Sequence, residues 1–174
     1  MTPPRKKPKN IFLVGFMGAG KTTIGRILAR TLGYRYCDSD KVIETKAGKT
    51  VSEIFSSQGE SRFRELESET LNSLAGKEKQ VIATGGGAVM REENREAMKK
   101  GGVTVYLKAP VSVIWERIRL SKTRPLLNVD NPLEAAEELL QKRAPFYESA
   151  DLTIDTEKLT PEEAASEIIK KLGM

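Results

Sequence analysis

Short, mostly apolar runs alternate along the chain with longer stretches of helical period, and this alternation predicts the elements. Asn10–Val14 is the first run and fits a buried strand. Residues 15–20 follow as a glycine-rich turn, and Lys21–Leu32 has an amphipathic helical pattern with Gly33 at its expected stop. A second short strand is predicted over 34–37, and a helix over Ser39–Ala47 that Gly48 ends. Thr50 and Glu53 have the spacing of a capping box, which starts a helix reaching about Ser57. A further helix is predicted from about Ser61 to Ala75, ended by Gly76.

The second half repeats the scheme. Residues 81–84 predict a third strand closed by three glycines, 91–100 a helix, and 103–107 a fourth strand. Pro110 and Val111 open a helix carrying Ile114, Arg117 and Ile118, after which 120–130 has no helical period. Asn131 and Pro132 supply an N-cap and a first-turn proline for a helix to Arg143. Residues 152–154 predict a fifth strand, and Thr160-Pro161-Glu162-Glu163 starts a last helix to Leu172. Strands separated by helices imply βαβ crossovers and a parallel sheet with helices on both faces. The expected fold class is therefore α/β: a three-layer α/β/α arrangement around a central five-stranded parallel sheet. Ligands of such a sheet bind outside the carboxyl ends of its strands.

Composition narrows the chemistry. A chain of 174 residues holds one domain, expected over 10–174, behind a basic, proline-rich tail over 1–9 that reads as disordered. No apolar run approaches the ~20 residues that span a bilayer, and the apolar run after the basic start is too short for a signal peptide. Cys37 is the single cysteine, which excludes an intrachain disulfide and fits a reducing cytoplasm. Histidine is absent, so every mechanism built on Ser-His, Cys-His or His-bound metal is excluded. The net charge of +5 admits a nucleic-acid binder, but four basic residues lie in the tail and no basic-aromatic interleaving occurs. An anionic small ligand accounts for the charge without nucleic acid or membrane.

Gly15-Phe16-Met17-Gly18-Ala19-Gly20-Lys21-Thr22 fits the phosphate-binding pattern G-x-x-x-x-G-K-[ST], with a strand before it and a helix after it as the motif requires. Backbone amides of Gly15, Gly18, Ala19 and Gly20 would cradle phosphate oxygens at a helix N-terminus, with Lys21 on the β- and γ-phosphates. Thr22 is the expected Mg²⁺ ligand, and Thr23 completes the nucleotide-binding set. No guanine-specifying Asn-Lys-x-Asp segment occurs, and the third strand closes with Thr84 and glycines rather than the acid typical of motor ATPases. A small-molecule phosphotransferase fits best.

Asp38-Ser39-Asp40 follows the second strand. Its carboxylates suit a hydrated Mg²⁺ and an acceptor hydroxyl, or simply an acidic helix cap. Gly85, Gly86 and Gly87 offer backbone amides and close approach, or a plain turn. Arg62-Phe63-Arg64 with Glu67 is a bidentate site for a carboxylate, or an ordinary solvated helix face.

Taken in order, residues 15–22, Asp38-Ser39-Asp40, Phe63-Arg64 with Glu67, Gly85-Gly86-Gly87, Arg124-Pro125-Leu126-Leu127 and Arg143-Ala144-Pro145-Phe146-Tyr147 resemble shikimate kinase over nearly the whole chain after the tail. The resemblance implies a monomeric cytoplasmic enzyme with a nucleoside monophosphate kinase-like fold. Such an enzyme transfers the γ-phosphate of ATP, with Mg²⁺, to the 3-hydroxyl of shikimate on the route to aromatic amino acids. It assigns Asp40 to the hydroxyl, Arg64 and Arg143 to the shikimate carboxylate, Gly85 to Gly87 and Phe63 to the acceptor pocket, and Glu67 to holding arginine. Asp38 would act on Mg²⁺ through water. Arg124 would belong to a mobile lid over about 119–131, and Arg117, or equally Arg119, would flank adenine with Pro161. A gluconate or nucleotide kinase is the nearest rival; a non-catalytic nucleotide-binding module is the rival of another class.

Overall fold

The computed structural model describes residues 7–119 and 129–174. Five parallel strands, β1 (Asn10–Val14), β2 (Arg35–Asp38), β3 (Gln80–Ala83), β4 (Val103–Lys108) and β5 (Leu152–Asp155), form one sheet in the order β2-β3-β1-β4-β5. β3 therefore lies between β1 and β2, pairing Leu13 with Ala83 and Asp38 with Ala83 on its two edges. The chain ends of β1, β2 and β3 are thereby brought side by side at one rim.

The helices are α1 (Lys21–Leu32), α2 (Ser39–Ala47), α3 (Val51–Ala75), α4 (Glu92–Gly101), α5 (Val111–Ile118), α6 (Pro132–Glu148) and α7 (Pro161–Leu172). β1 shows how they are distributed. Its alternate side chains Ile11 and Leu13 join Ile24 and Leu28 of α1 and Ile168 of α7 in one core layer. Phe12 and Val14 point the other way, into a layer with Met98 of α4, Ile114 of α5 and Tyr147 of α6. Burial on both faces explains why the strand reads as a continuous apolar run. Its one polar residue, Asn10, is fully buried; its amide donates to the carbonyls of Lys77 (2.7 Å) and Gly101 (3.0 Å) and its oxygen accepts from the Gln80 backbone (3.1 Å).

Local signals hold closely. The capping boxes at Thr50–Glu53 and Thr160–Glu163 both form. The two helices expected over 50–75 are one long α3 interrupted at Gly59, whose φ of 82° and ψ of 167° break the helical run. β2 begins one residue later than the pattern suggested, because Tyr34 is drawn into the cap of α1 by its N–H bond to Ala29 O (2.8 Å). α6 runs on to Glu148 instead of stopping at Arg143, with Pro145 inside it. Pro8 and Lys9, assigned to the tail, are tied in: Pro8 O accepts from the Tyr34 hydroxyl (2.8 Å) and Lys9 O from Lys79 N (2.6 Å). Among the described residues no helix is long and apolar enough to cross a membrane.

Candidate active site

The turn after β1 is bent around its glycines. Gly18 and Gly20 have φ of 75° and 99°, values that side-chain-bearing residues avoid, and Gly20 is the N-cap of α1. The backbone curls back so that the Lys21 ammonium donates to the carbonyls of Gly15 (2.6 Å) and Phe16 (2.9 Å). Lys21 thus folds back across the loop it follows. Thr22 and Thr23, in the first turn of α1, are exposed beside it. The loop, the helix N-terminus and the ammonium together make an anion site suited to a polyphosphate.

A second group faces this site from the end of β2, α2, α3, the β3 end and α6. Asp38 closes β2 and caps α2; its Oδ1 accepts from the backbone N–H of Asp40 (3.0 Å) and of Lys41 (3.2 Å). The capping reading of Asp38 is correct, and it leaves the second oxygen of the same carboxylate for other work. Asp40 lies half-buried in the first turn of α2. Burial, and then the charges of Asp38 and Glu67, push its pKa up to about 6, against the pull of Lys21.

Glu67 is fully buried, and burial raises its pKa against the opposing Arg64 charge. Its Oε2 accepts from Arg64 Nη1 (2.9 Å), while Arg64 Nη2 lies 3.3 Å from Glu60 Oε1 on the solvent side. The Arg64–Glu67 pair is therefore no solvated helix face. Phe63 is buried beneath it with Ile43 and Ile54, and the Arg64 guanidinium lies 5.3 Å from the Phe63 ring centre.

The three glycines are the floor between these groups. A side chain begun at Gly85 would meet Glu67 Oε1 at 2.8 Å and Asp40 Oδ1 at 2.9 Å. One at Gly86 would lie 3.1 Å from Arg143 Nη1, and one at Gly87 would clash with Arg64 Nη2 at 2.6 Å. Asp40, Glu67, Arg143 and Arg64 therefore crowd over three consecutive residues that have no side chain to obstruct them. Asp40 Oδ1 and Glu67 Oε1 are both buried, and among the described residues no hydrogen-bond donor reaches either. Buried acceptors without donors are costly, so this corner is built to receive a hydroxyl or other donor. The Arg143 guanidinium, 5.9 Å from the Phe16 ring, links the corner to the phosphate loop.

On the far side of the loop, Arg117 donates to Gly18 O (3.2 Å) and to Thr156 O (3.2 Å), whereas Arg119 turns to Glu116 (2.9 Å). Of the two arginines, Arg117 is the one against the nucleotide loop. Pro161 opens α7 beyond β5, exposed. Arg124 and most of the expected lid, 120–128, lie outside the described residues.

Among the described residues no cluster of three or more acidic, Cys or His ligands occurs. The oxygen donors at hand, the Thr22 hydroxyl and the Asp38 carboxylate, suit a hard cation that keeps most of its water and is held largely by nucleotide phosphates, as Mg²⁺ is. Two residues had no role assigned from the sequence. Ser39 Oγ accepts from Gly85 N–H (3.2 Å), and the Tyr147 hydroxyl donates to Gly86 O (2.5 Å). A serine in a helix start and a tyrosine in a helix carry no signal of such distant partners.

Comparison with known proteins finds shikimate kinases by family model, by sequence and by structure. A family model described as shikimate kinase matches residues 17–173. The chain is 55% identical over 163 residues to a shikimate kinase of Thermodesulfovibrio yellowstonii, covering 94% of each chain. It is 49% identical over 162 residues to one of Methylococcus capsulatus, covering 92% of this chain and 90% of that one. A solved structure of shikimate kinase from Acinetobacter baumannii in complex with shikimate superposes with a TM-score of 0.91 at 44% identity, covering 97% of this chain and 94% of that one.

Proposed function

The chain belongs to the shikimate kinase family, and on that premise we propose that its site phosphorylates the 3-hydroxyl of shikimate with ATP, each half of the site taking one substrate. The observation that carries this reading is the gathering of two arginines, two buried carboxylate oxygens without donors and three glycines beside a phosphate loop. Paired cations and orphan acceptors suit a small carboxylic acid bearing hydroxyls. A nucleotide acceptor would need a base-sized apolar slot instead.

The amides of Gly15, Gly18, Ala19 and Gly20 and the side chains of Lys21, Thr22 and Thr23 bind the ATP phosphates. Arg117, anchored at Gly18 O and Thr156 O, flanks the base with Pro161. Mg²⁺, held by the Thr22 hydroxyl and through water by Asp38, would neutralise charge building on the transferring group. Arg64 and Arg143 fork the shikimate carboxylate, and Glu67 fixes Arg64 in place. Gly85, Gly86 and Gly87 let the ring lie close to backbone, with Phe63 as the packed wall behind.

Asp40 Oδ1 accepts the acceptor hydroxyl's proton-bearing bond and orients its oxygen toward the phosphoryl group. With a pKa of about 6, the carboxylate is ionised at neutral pH and still basic enough to take the proton as the P–O bond forms. Lys21 stabilises the spread negative charge of a loose transition state. Gluconate shares the carboxylate and hydroxyls, so acceptors are best compared directly. Coupled ADP release with Mg²⁺-ATP should depend on shikimate; release with gluconate alone, or with no acceptor at all, would overturn this reading.

A further inference from the structure

We propose that Tyr147 is a positioning residue for the acceptor: through its hydrogen bond to the Gly86 carbonyl it sets the orientation of the Gly86–Gly87 peptide in the pocket. The inference rests on the shikimate reading above and goes beyond the groups that reading uses.

The bond is short, 2.5 Å, and spans 61 residues of sequence. The other tethers of the triglycine come from its surroundings along the strand rim. Gly85 N–H donates to Ser39 Oγ (3.2 Å), Gly85 O accepts from Ala88 N (3.1 Å), and Gly87 O accepts from Met90 N (3.1 Å). Among the described residues, Gly86 O alone of the three carbonyls is held by a side chain. No cis peptide occurs among the described residues, so the Gly87 N–H points away from the Gly86 carbonyl across the same rigid plane. Fixing that carbonyl therefore fixes the direction of that N–H, which no hydrogen bond among the described residues uses. Glycine has the widest backbone freedom of any residue, so a run of three needs such an external restraint to keep one geometry.

Tyr147 is placed to act as that restraint. It is fully buried, and its ring stacks on Tyr106 with centres 5.1 Å apart and planes within 19°. It lies four residues after Arg143 on α6, on the same helix face. The guanidinium that reaches over Gly86 and the hydroxyl that grips its carbonyl thus come from successive turns of one helix. The helix continues through Pro145 to bring the second of them there, although proline in a helix interior is costly. A phenylalanine would fill the core equally well; the hydroxyl is the part the core does not require. Burial raises the phenol to about 12, with Arg143 beside it opposing the rise, so the group stays a protonated donor throughout the working pH range.

The test is Tyr147→Phe in the full chain, with steady-state constants for both substrates, alongside Tyr106→Phe, which removes the hydroxyl of the stacking partner instead. Losing one positioned hydrogen bond should raise KM for shikimate about five- to tenfold while KM for ATP stays within about twofold. Tyr106→Phe should change neither constant. Unchanged shikimate KM in Tyr147→Phe, an equal rise for ATP, or the same rise in Tyr106→Phe would overturn the inference. So would loss of the fold in Tyr147→Phe, because the hydroxyl would then serve the core. Failure of the wild type to use shikimate would instead strike the reading beneath it, which keeps the two outcomes apart.

Discussion

The phosphate half of the site and its acceptor half are built in opposite ways. The phosphate half is one unbroken stretch, residues 15–23, whose shape follows from glycines at positive φ and from the helix that starts at Lys21. The acceptor half has no such stretch: Asp40, Arg64 with Glu67, the three glycines and Arg143 come from four segments spread over more than half the chain. Only the placing of β3 between β1 and β2, and the reach of α6 back over the rim, bring them together. The first half is local chemistry that many folds can host. The second exists only when the whole domain is folded, and in the proposed reading it carries the substrate preference.

If the halves are separable, substitutions should divide cleanly between them. The largest effects are expected at the reacting groups. Lys21→Met should lower kcat by roughly a thousandfold while leaving shikimate binding within about twofold, as read by single-turnover kinetics and calorimetry. Asp40→Asn should cost roughly a hundredfold or more in kcat with ATP affinity retained. Normal turnover in that variant would remove Asp40 from the mechanism.

A smaller and sharper test uses pH. Asp40 must be ionised to accept the hydroxyl, so kcat/KM should rise with pH through about 6, and the limb should vanish in Asp40→Asn. Stability should move the opposite way. A carboxyl whose folded pKa is raised binds its proton more tightly in the native state, so its charging penalty is absent below 3.8 and complete above about 6. Asp40→Asn should therefore melt at least as high as the wild type at pH 8. Next in size, Glu67→Gln should raise the shikimate KM about tenfold by loosening Arg64, with ATP unaffected. Smallest of all, Arg117→Ala should raise the ATP KM a few-fold, about the loss of one or two exposed charge-assisted bonds, and Arg119→Ala should leave it unchanged.

The same contrast explains what could be seen in the sequence. The phosphate loop is legible because its requirements are local: a strand, glycines where φ turns positive, a lysine and a hydroxyl at the helix start. Helix starts at Thr50 and Thr160 are legible for the same reason, since a capping box is complete within four residues. Arg64 alone looks like a surface arginine. It is held at the triglycine because it pairs with Glu67, which is buried beside those glycines, and burial is a property of the assembled sheet. α6 runs past Arg143 to Glu148 with Pro145 inside it; proline disfavours a helix interior, and the packing of Tyr147 against Tyr106 outweighs that local preference. Tyr147 itself was unreadable for its role, because its hydrogen-bond partner lies 61 residues away.

The central claim is that Arg64 belongs to the acceptor half alone, so its removal should strike one substrate and spare the other. Calorimetric titration of Arg64→Ala with shikimate and, separately, with an ATP analogue tests this directly. Losing one arm of a buried charge pair should weaken shikimate binding by about 2 kcal/mol or more, roughly thirtyfold, with nucleotide binding within about twofold of wild type. Equal weakening of both ligands, or unchanged shikimate binding, would contradict the account.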